Sequence, residues 1–152
     1  IREVPTKSFA DNIIKTFDVR TTGSGAEAGS LSGGNLQKFI VGREILQDPG
    51  VLVISQPTWG VDAGAASAIH QALLDLAAKG TAVLVISQDL DEIYAICDSV
   101  VVMAEGKMSK PRPMADVSIE EIGLLMGGLH DLEGNATPAN NMQVEGGRVG
   151  QA

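Results

Sequence analysis

LVISQPTWGVD, residues 52–62, is the stretch whose reading decides the fold. Together with Val51 it opens as VLVIS (51–55), a short apolar run rich in β-branched residues and without polar alternation. Such a run is the mark of a strand buried on both faces, as parallel sheets require. Asp62 stands where the following helix needs an N-cap. Residues 63–79 place Ile69, Leu73 and Leu76 on one helical face, and Gly80 supplies the stop. AVLVIS (82–87) then repeats the buried-strand pattern. Strand, helix, strand over about 35 residues is a βαβ unit with a right-handed crossover, so the chain is predicted to be α/β.

Upstream, Phe9, Ile13, Ile14 and Phe17 recur at helical spacing and predict a helix over about residues 7–17. The polar, Gly-rich TTGSGAEAGS (21–30) reads as a loop. Leu36, Phe39, Ile40 and Leu46 predict a second helix from Asn35 to Gln47, ended by Asp48-Pro49-Gly50. Downstream, Leu90, Ile93, Tyr94 and Cys97 form another helical stripe, and SVVVMA (99–104) reads as a third strand turned by residues 105–107. Ser118 and Glu121 are spaced as a capping box, with Val117 and Ile122 as its hydrophobic staple, ahead of a helix over 119–126. Residues 129–152 are rich in Asn, Gly and Pro and read as a disordered tail.

A formal charge of −8 with no basic run argues against a nucleic-acid surface, because phosphate binding needs clustered Lys and Arg. The single cysteine excludes an internal disulfide framework and fits a reducing compartment. No apolar stretch approaches the roughly 20 residues of a bilayer span, and no secretory signal is read at the start. The chain begins without an initiator Met and reads as a piece of something longer.

LSGGNLQK (31–38) sets Ser32, Gly33 and Gly34 at the start of a helix. Bare backbone N–H groups there, the positive end of the helix dipole and a hydroxyl make an anion site without side-chain charge. On these three residues alone a flexible N-terminal cap is the competing reading.

Taken in order, LSGGNLQK, then VLVISQPTWGVD, then VLVISQDLDE resemble the signature, the Walker B strand with its D-loop, and the switch strand of ATP-binding-cassette (ABC) transporter ATPases. LSGGNLQKFIVGREI with SQPTWGVDAGA is most similar to the second cassette of the tandem ATPases of simple-sugar and nucleoside importers. The resemblance implies a P-loop NTPase-like fold with a parallel-sheet core. Residues 1–30 would end the helical signature subdomain and its linker, and 31–128 would be the C-terminal half of the ATPase domain. It further implies that Leu31, Ser32, Gly33, Gly34, Asn35 and Gln37 meet the ATP held by a partner cassette, with Asp62 acting in the D-loop. Asp62 also reads simply as a helix cap.

The sequence departs from the family at three positions. Where the family has an Asp for Mg²⁺, a Glu that polarises water and a switch His, this chain has Ser55, Gln56 and Gln88. Magnesium prefers carboxylate oxygen, and losing a general base alone costs a factor of about 10²–10⁴. No G-x-x-x-x-G-K-[ST] occurs, and GSGAEAGS (23–30) has neither the spacing nor the lysine. The expectation is half a cassette that alone neither binds nor cuts ATP, with no metal site of its own.

The leading reading is therefore the ATPase component of an importer of a simple sugar or nucleoside. Its partners would be a second cassette, transmembrane permease subunits and Mg-ATP, at the cytoplasmic face of the membrane. A non-catalytic ABC-like interaction module is the alternative, and the chromosome-maintenance branch is disfavoured by the acidic charge and the absence of heptad arms. Cys97 reads as packing, and His70 and His130 lack ligand-spaced partners. Trp59 reads as a lid over the local core, or else as a contact across the cassette interface. In the family the P-loop strand lies between strands 82–87 and 99–104. Without it those strands are expected to pair directly, to borrow a strand from a second copy, or to lose cooperative order.

Overall fold

The computed structural model describes residues 3–128, so the expected tail at 129–152 and His130 lie outside the described residues. Helix α1 (Glu3–Thr16) starts earlier than the periodicity indicates. Pro5 permits this, because its missing N–H falls in the first turn, where no intrahelical acceptor exists. The helix ends as Asp18 turns to a φ of 47°. Helix α2 (Gly33–Ile45) takes both glycines of the signature into its first turn, two residues before the expected start.

Strand β1 (Val51–Ser55), helix α3 (Ala63–Ala78) and strand β2 (Ala82–Ile86) form the expected βαβ unit. The strands are parallel, in register from Val51 opposite Ala82 to Ser55 opposite Ile86. Asp62 caps α3, accepting from Ala65 N at 2.9 Å, and Gly80, with φ 101°, follows its end. Helix α4 (Leu90–Ile96) is capped by Asp89, which accepts from the N–H groups of Asp91 and Glu92.

Burial on both faces of the sheet is not observed. One face packs Leu52 against Ile69, Leu73 and Leu76 of α3 in the main core. On the other, Val51, Val53, Leu84 and Ile86 are 67, 61, 55 and 52% exposed. An apolar run encodes the capacity to be covered on two sides, whereas the covering elements must come from elsewhere.

The expected third strand is also revised. Residues 99–104 split into β3 (Ser99–Val100) and β4 (Met103–Ala104). β3 pairs antiparallel with β6 (Arg112–Pro113), and β4 with β5 (Lys107–Met108). β3 does not join β2, so direct closure of the sheet is not the route taken. The β4–β5 hairpin turns on Glu105 and Gly106 at φ 51° and 75°. Two successive positive φ values match the strand twist of a two-residue hairpin, which draws the chain back antiparallel instead of onward along the sheet.

Two units are distinguishable: residues up to Val100 with Pro111–Val117, and Val101–Lys110 with residues from Ser118. The second contains α5 (Ile119–Met126), whose capping box is present as expected: Ser118 N donates to Glu121 Oε2 at 2.9 Å and Glu121 N to Ser118 Oγ at 3.2 Å.

In the first unit, α1 meets α2 through Ile13, Phe17, Val41 and Ile45. Gly42 is buried at this crossing, and a Cβ there would lie 2.5 Å from Phe17 Cδ2 and 3.0 Å from Ile13 Cγ2. Alanine gains helix propensity of about 1 kcal/mol, yet overpacking costs about 1–3 kcal/mol. Gly42→Ala is therefore expected to lower stability by up to about 2 kcal/mol, read as a reduced urea midpoint at constant m-value. An unchanged midpoint would show that the helix pair is not tightly seated.

Candidate functional site

The site begins at the N-terminus of α2. Ser32 sits at the N-cap with φ −62° and ψ 155°, but its side chain does not cap the helix. Its Oγ instead accepts from Asn35 Nδ2 at 2.9 Å, while Asn35 Oδ1 accepts from Arg20 N at 2.8 Å. Leu36 N donates to Ser32 O at 2.9 Å, and the N–H groups of Gly33, Gly34 and Asn35 have no acceptor among the described residues. Three free donors at the positive end of a thirteen-residue helix are the chemistry that can receive an anion. Ser32 and Gly33 are exposed, and Leu31 beside them is half-buried.

This surface is braced from behind. A Cβ on Gly34 would lie 2.8 Å from Gly60 O, so only glycine allows the D-loop to approach so closely. Gly60 itself takes φ 70°. Gln37 Nε2 donates to the carbonyls of Gln56 and Pro57 at 3.0 and 3.1 Å. Its amide nitrogen is thus engaged within the chain, a bracing role that the signature pattern alone did not indicate. Lys38 is buried, donates to Asp18 O at 3.3 Å, and stands 4.0 Å from Asp62 Oδ2. The hydrogen bond from Ala65 N holds the Asp62 carboxyl below its usual range, with the Lys38 charge acting in the same direction against the burial penalty. Asp62 is therefore both the cap of α3 and an exposed carboxylate beside the signature helix.

Ser55 ends β1, exposed. Gln56 follows at φ 50°, with its N–H donated to Ile86 O at 2.8 Å. The register of β1 on β2 brings Gln88, two residues past Ile86, to the same carboxyl end of the sheet. That end is where ligands of open α/β sheets bind. The donor set does not fit a resident Mg²⁺: Ser55 and Gln56 supply a hydroxyl and an amide where carboxylates are preferred. Among the described residues no cluster of three His, Cys, Asp or Glu could hold a metal ion.

Thr58, in the loop between Gln56 and Asp62, donates its hydroxyl to Glu92 Oε1 at 2.8 Å, and His70 Nε2 lies 3.1 Å from the same oxygen. Sequence spacing gave no sign of this cluster, since its members are 22 and 34 residues from Glu92. Cys97 is half-buried, and burial first, then the charges of Glu92 and Asp98, push its thiol pKa up. A raised pKa keeps the thiol protonated and unreactive. Trp59 is 72% exposed and so covers no core of this chain.

No protein-family profile matches the chain. Among curated proteins it is 44% identical over 142 residues to the glucose import ATP-binding protein TsgD13 of Haloferax volcanii, covering 92% of this chain and 25% of that protein. It is 43% identical over 121 residues to the nucleoside import ATP-binding protein NupA of Lactococcus lactis, covering 80% and 24%. The chain thus spans about a quarter of the length of the curated relatives it matches. Among solved structures, an ATP-binding subunit of an ABC transporter superposes with a TM-score of 0.68 at 19% identity, over 84% of this chain and 56% of that one. The ATP-binding cassette MJ0796, dimeric with ADP and Pi, gives 0.62 at 20% identity, over 70% and 46%. No helix among the described residues is long and apolar enough to cross a membrane. With relatives above 40% identity over most of its length and cassettes as its structural neighbours, the chain belongs to the ABC ATPase family and carries the C-terminal half of a cassette.

Proposed function

We propose that this half-cassette works within a longer ATP-binding protein of an importer, where it completes the nucleotide site of a partner cassette. The observation that carries the reading is the group of three free N–H donors at Gly33, Gly34 and Asn35, beside the exposed Ser32. A γ-phosphate presented by the partner's P-loop would receive these donors and the helix dipole at once. Because the donors are fixed before the nucleotide arrives, they stabilise charge that develops during phosphoryl transfer without a cost of reorganisation.

The carboxyl end of the chain's own sheet, with Ser55, Gln56 and Gln88, supplies neither a base nor a carboxylate for magnesium. It is the inert member of a pair of sites. The relatives import glucose and nucleosides by name, which supports a simple sugar or nucleoside as cargo. Permease subunits are the transmembrane partners, and the cytoplasmic face of the membrane is the place of work.

An ATP analogue with a photoreactive group on the γ-phosphate tests the reading. Residues 31–37 are expected to be labelled in the longer protein, and the 152-residue chain alone to stay unlabelled. Absence of label from residues 31–37 in the longer protein, or saturable labelling of the isolated chain, would refute the half-site assignment.

A further inference from the structure

Glu92 lies on the helix that follows Gln88, is only 3% exposed, and is the buried residue of α4. Its neighbours in the helical stripe, Leu90, Ile93 and Tyr94, are only half-buried. Oε1 takes the hydrogen bond from Thr58 Oγ1 and the contact with His70 Nε2, while Oε2 is buried without a partner among the described residues. Burying a carboxylate with one oxygen unsatisfied is unfavourable relative to an apolar side chain of similar size. Stability of α4 therefore does not explain the glutamate.

What the cluster does explain is the conformation of the loop from Gln56 to Asp62. Thr58 is the middle of that loop: its carbonyl accepts from Val61 N at 3.3 Å, and Trp59 N reaches back to Gln56 O at 3.1 Å. On its near side, Gln56 and Pro57 take the two hydrogen bonds of Gln37. On its far side, Gly60 backs Gly34. We infer that Glu92 is a positioning residue that, through Thr58 and with His70, locks the D-loop to α4 and so fixes the loop that supports the signature amides. The inference rests on the half-site reading for what is positioned, although the lock itself is a property of this chain. The inert side of the cassette thereby acquires a role, because the orientation of Gly33, Gly34 and Asn35 depends on contacts made behind Gln56 and Gln88.

Two measurements test it. Trp59 is the only tryptophan of the chain and adjoins Thr58, so its fluorescence anisotropy in the 152-residue chain reports loop mobility. Thr58→Val, which keeps the shape and removes the hydroxyl, and Glu92→Leu are each expected to lower the anisotropy. Thr58→Ser restores it, and the double variant is no looser than either single one, as expected of two groups that act through one contact. In the longer protein the same two variants lower kcat for ATP about tenfold, the scale of losing a hydrogen bond to a charged group, with KM held within about twofold because the P-loop contacts are untouched.

A merely structural role would make turnover follow the melting midpoint. Here Glu92→Leu keeps or raises the midpoint while kcat falls. Wild-type anisotropy in Thr58→Val and Glu92→Leu overturns the inference, as does wild-type kcat in both when Gly33→Asp is inactive in the same assay. If Gly33→Asp itself retains turnover, the half-site reading fails, and the Trp59 measurement alone then sustains or overturns the lock.

Discussion

Gly33→Asp, placed in the longer protein that carries this chain, is expected to reduce ATP turnover at least about a hundredfold, the scale of losing one preorganised transition-state donor. The added carboxylate would stand beside the amides of Gly33, Gly34 and Asn35, occupy them in place of phosphate, and repel the γ-phosphate. The structure makes this a clean substitution. A Cβ on Gly33 meets nothing within 4 Å, and its φ is not among the positive values. An acid in the first turn is favoured by the helix dipole, so the melting midpoint is expected to hold or rise while activity falls. Gly34 is a poorer choice for the same purpose, because any side chain there meets Gly60 O at 2.8 Å and would shift the D-loop. Phosphate release and a thermal melt on one preparation decide the matter. Turnover within a factor of a few of wild type, in a folded variant, would end the assignment of this helix start to the nucleotide.

The 152 residues on their own are expected to self-associate through the open face of the β1–β2 sheet. Val51, Val53, Leu84 and Ile86 present a continuous apolar surface, each more than half exposed. Burying an aliphatic side chain fully is worth about 1.5–3 kcal/mol, and recovering half of that at four positions on each of two copies is comparable with the association cost of about 4–15 kcal/mol. β2 also has no strand on its second edge among the described residues, and an unpaired edge beside an apolar face is a template for another chain. Sedimentation velocity should show an s-value rising with concentration. The pair Val53→Lys and Leu84→Glu, opposite charges on cross-strand partners, should return the chain to monomer with its melting midpoint little changed, since neither side chain belongs to the packed core. A monodisperse monomer across the concentration range would show that this face is not adhesive.

The sequence by itself determined what local forces decide. VLVIS and AVLVIS were recognisable as strands because a β-branched apolar run has few alternatives, and Asp62 and Ser118 cap helices whose first turns lie within three residues of them. The free amides of residues 33–35 followed from two glycines at a helix start, and Ser55, Gln56 and Gln88 stood out from the family pattern in the order of motifs. Tertiary structure alone decided the rest. Periodicity marks a surface as apolar but does not say which element covers it, so the one-sided sheet was not foreseeable in VLVIS. Residues 99–104 have the composition of a strand, yet 103–104 fold back on 107–108 through the turn at Glu105 and Gly106, and 99–100 pair with 112–113. Gln37 reads only as part of the signature, and its hydrogen bonds to the carbonyls of Gln56 and Pro57 came from the packing alone. Glu92 reads as one more acid on a helix, and His70 as an isolated imidazole. Their meeting with Thr58 depends on how α3, α4 and the D-loop pack, and a contact across 34 residues of chain leaves no periodic trace in the sequence.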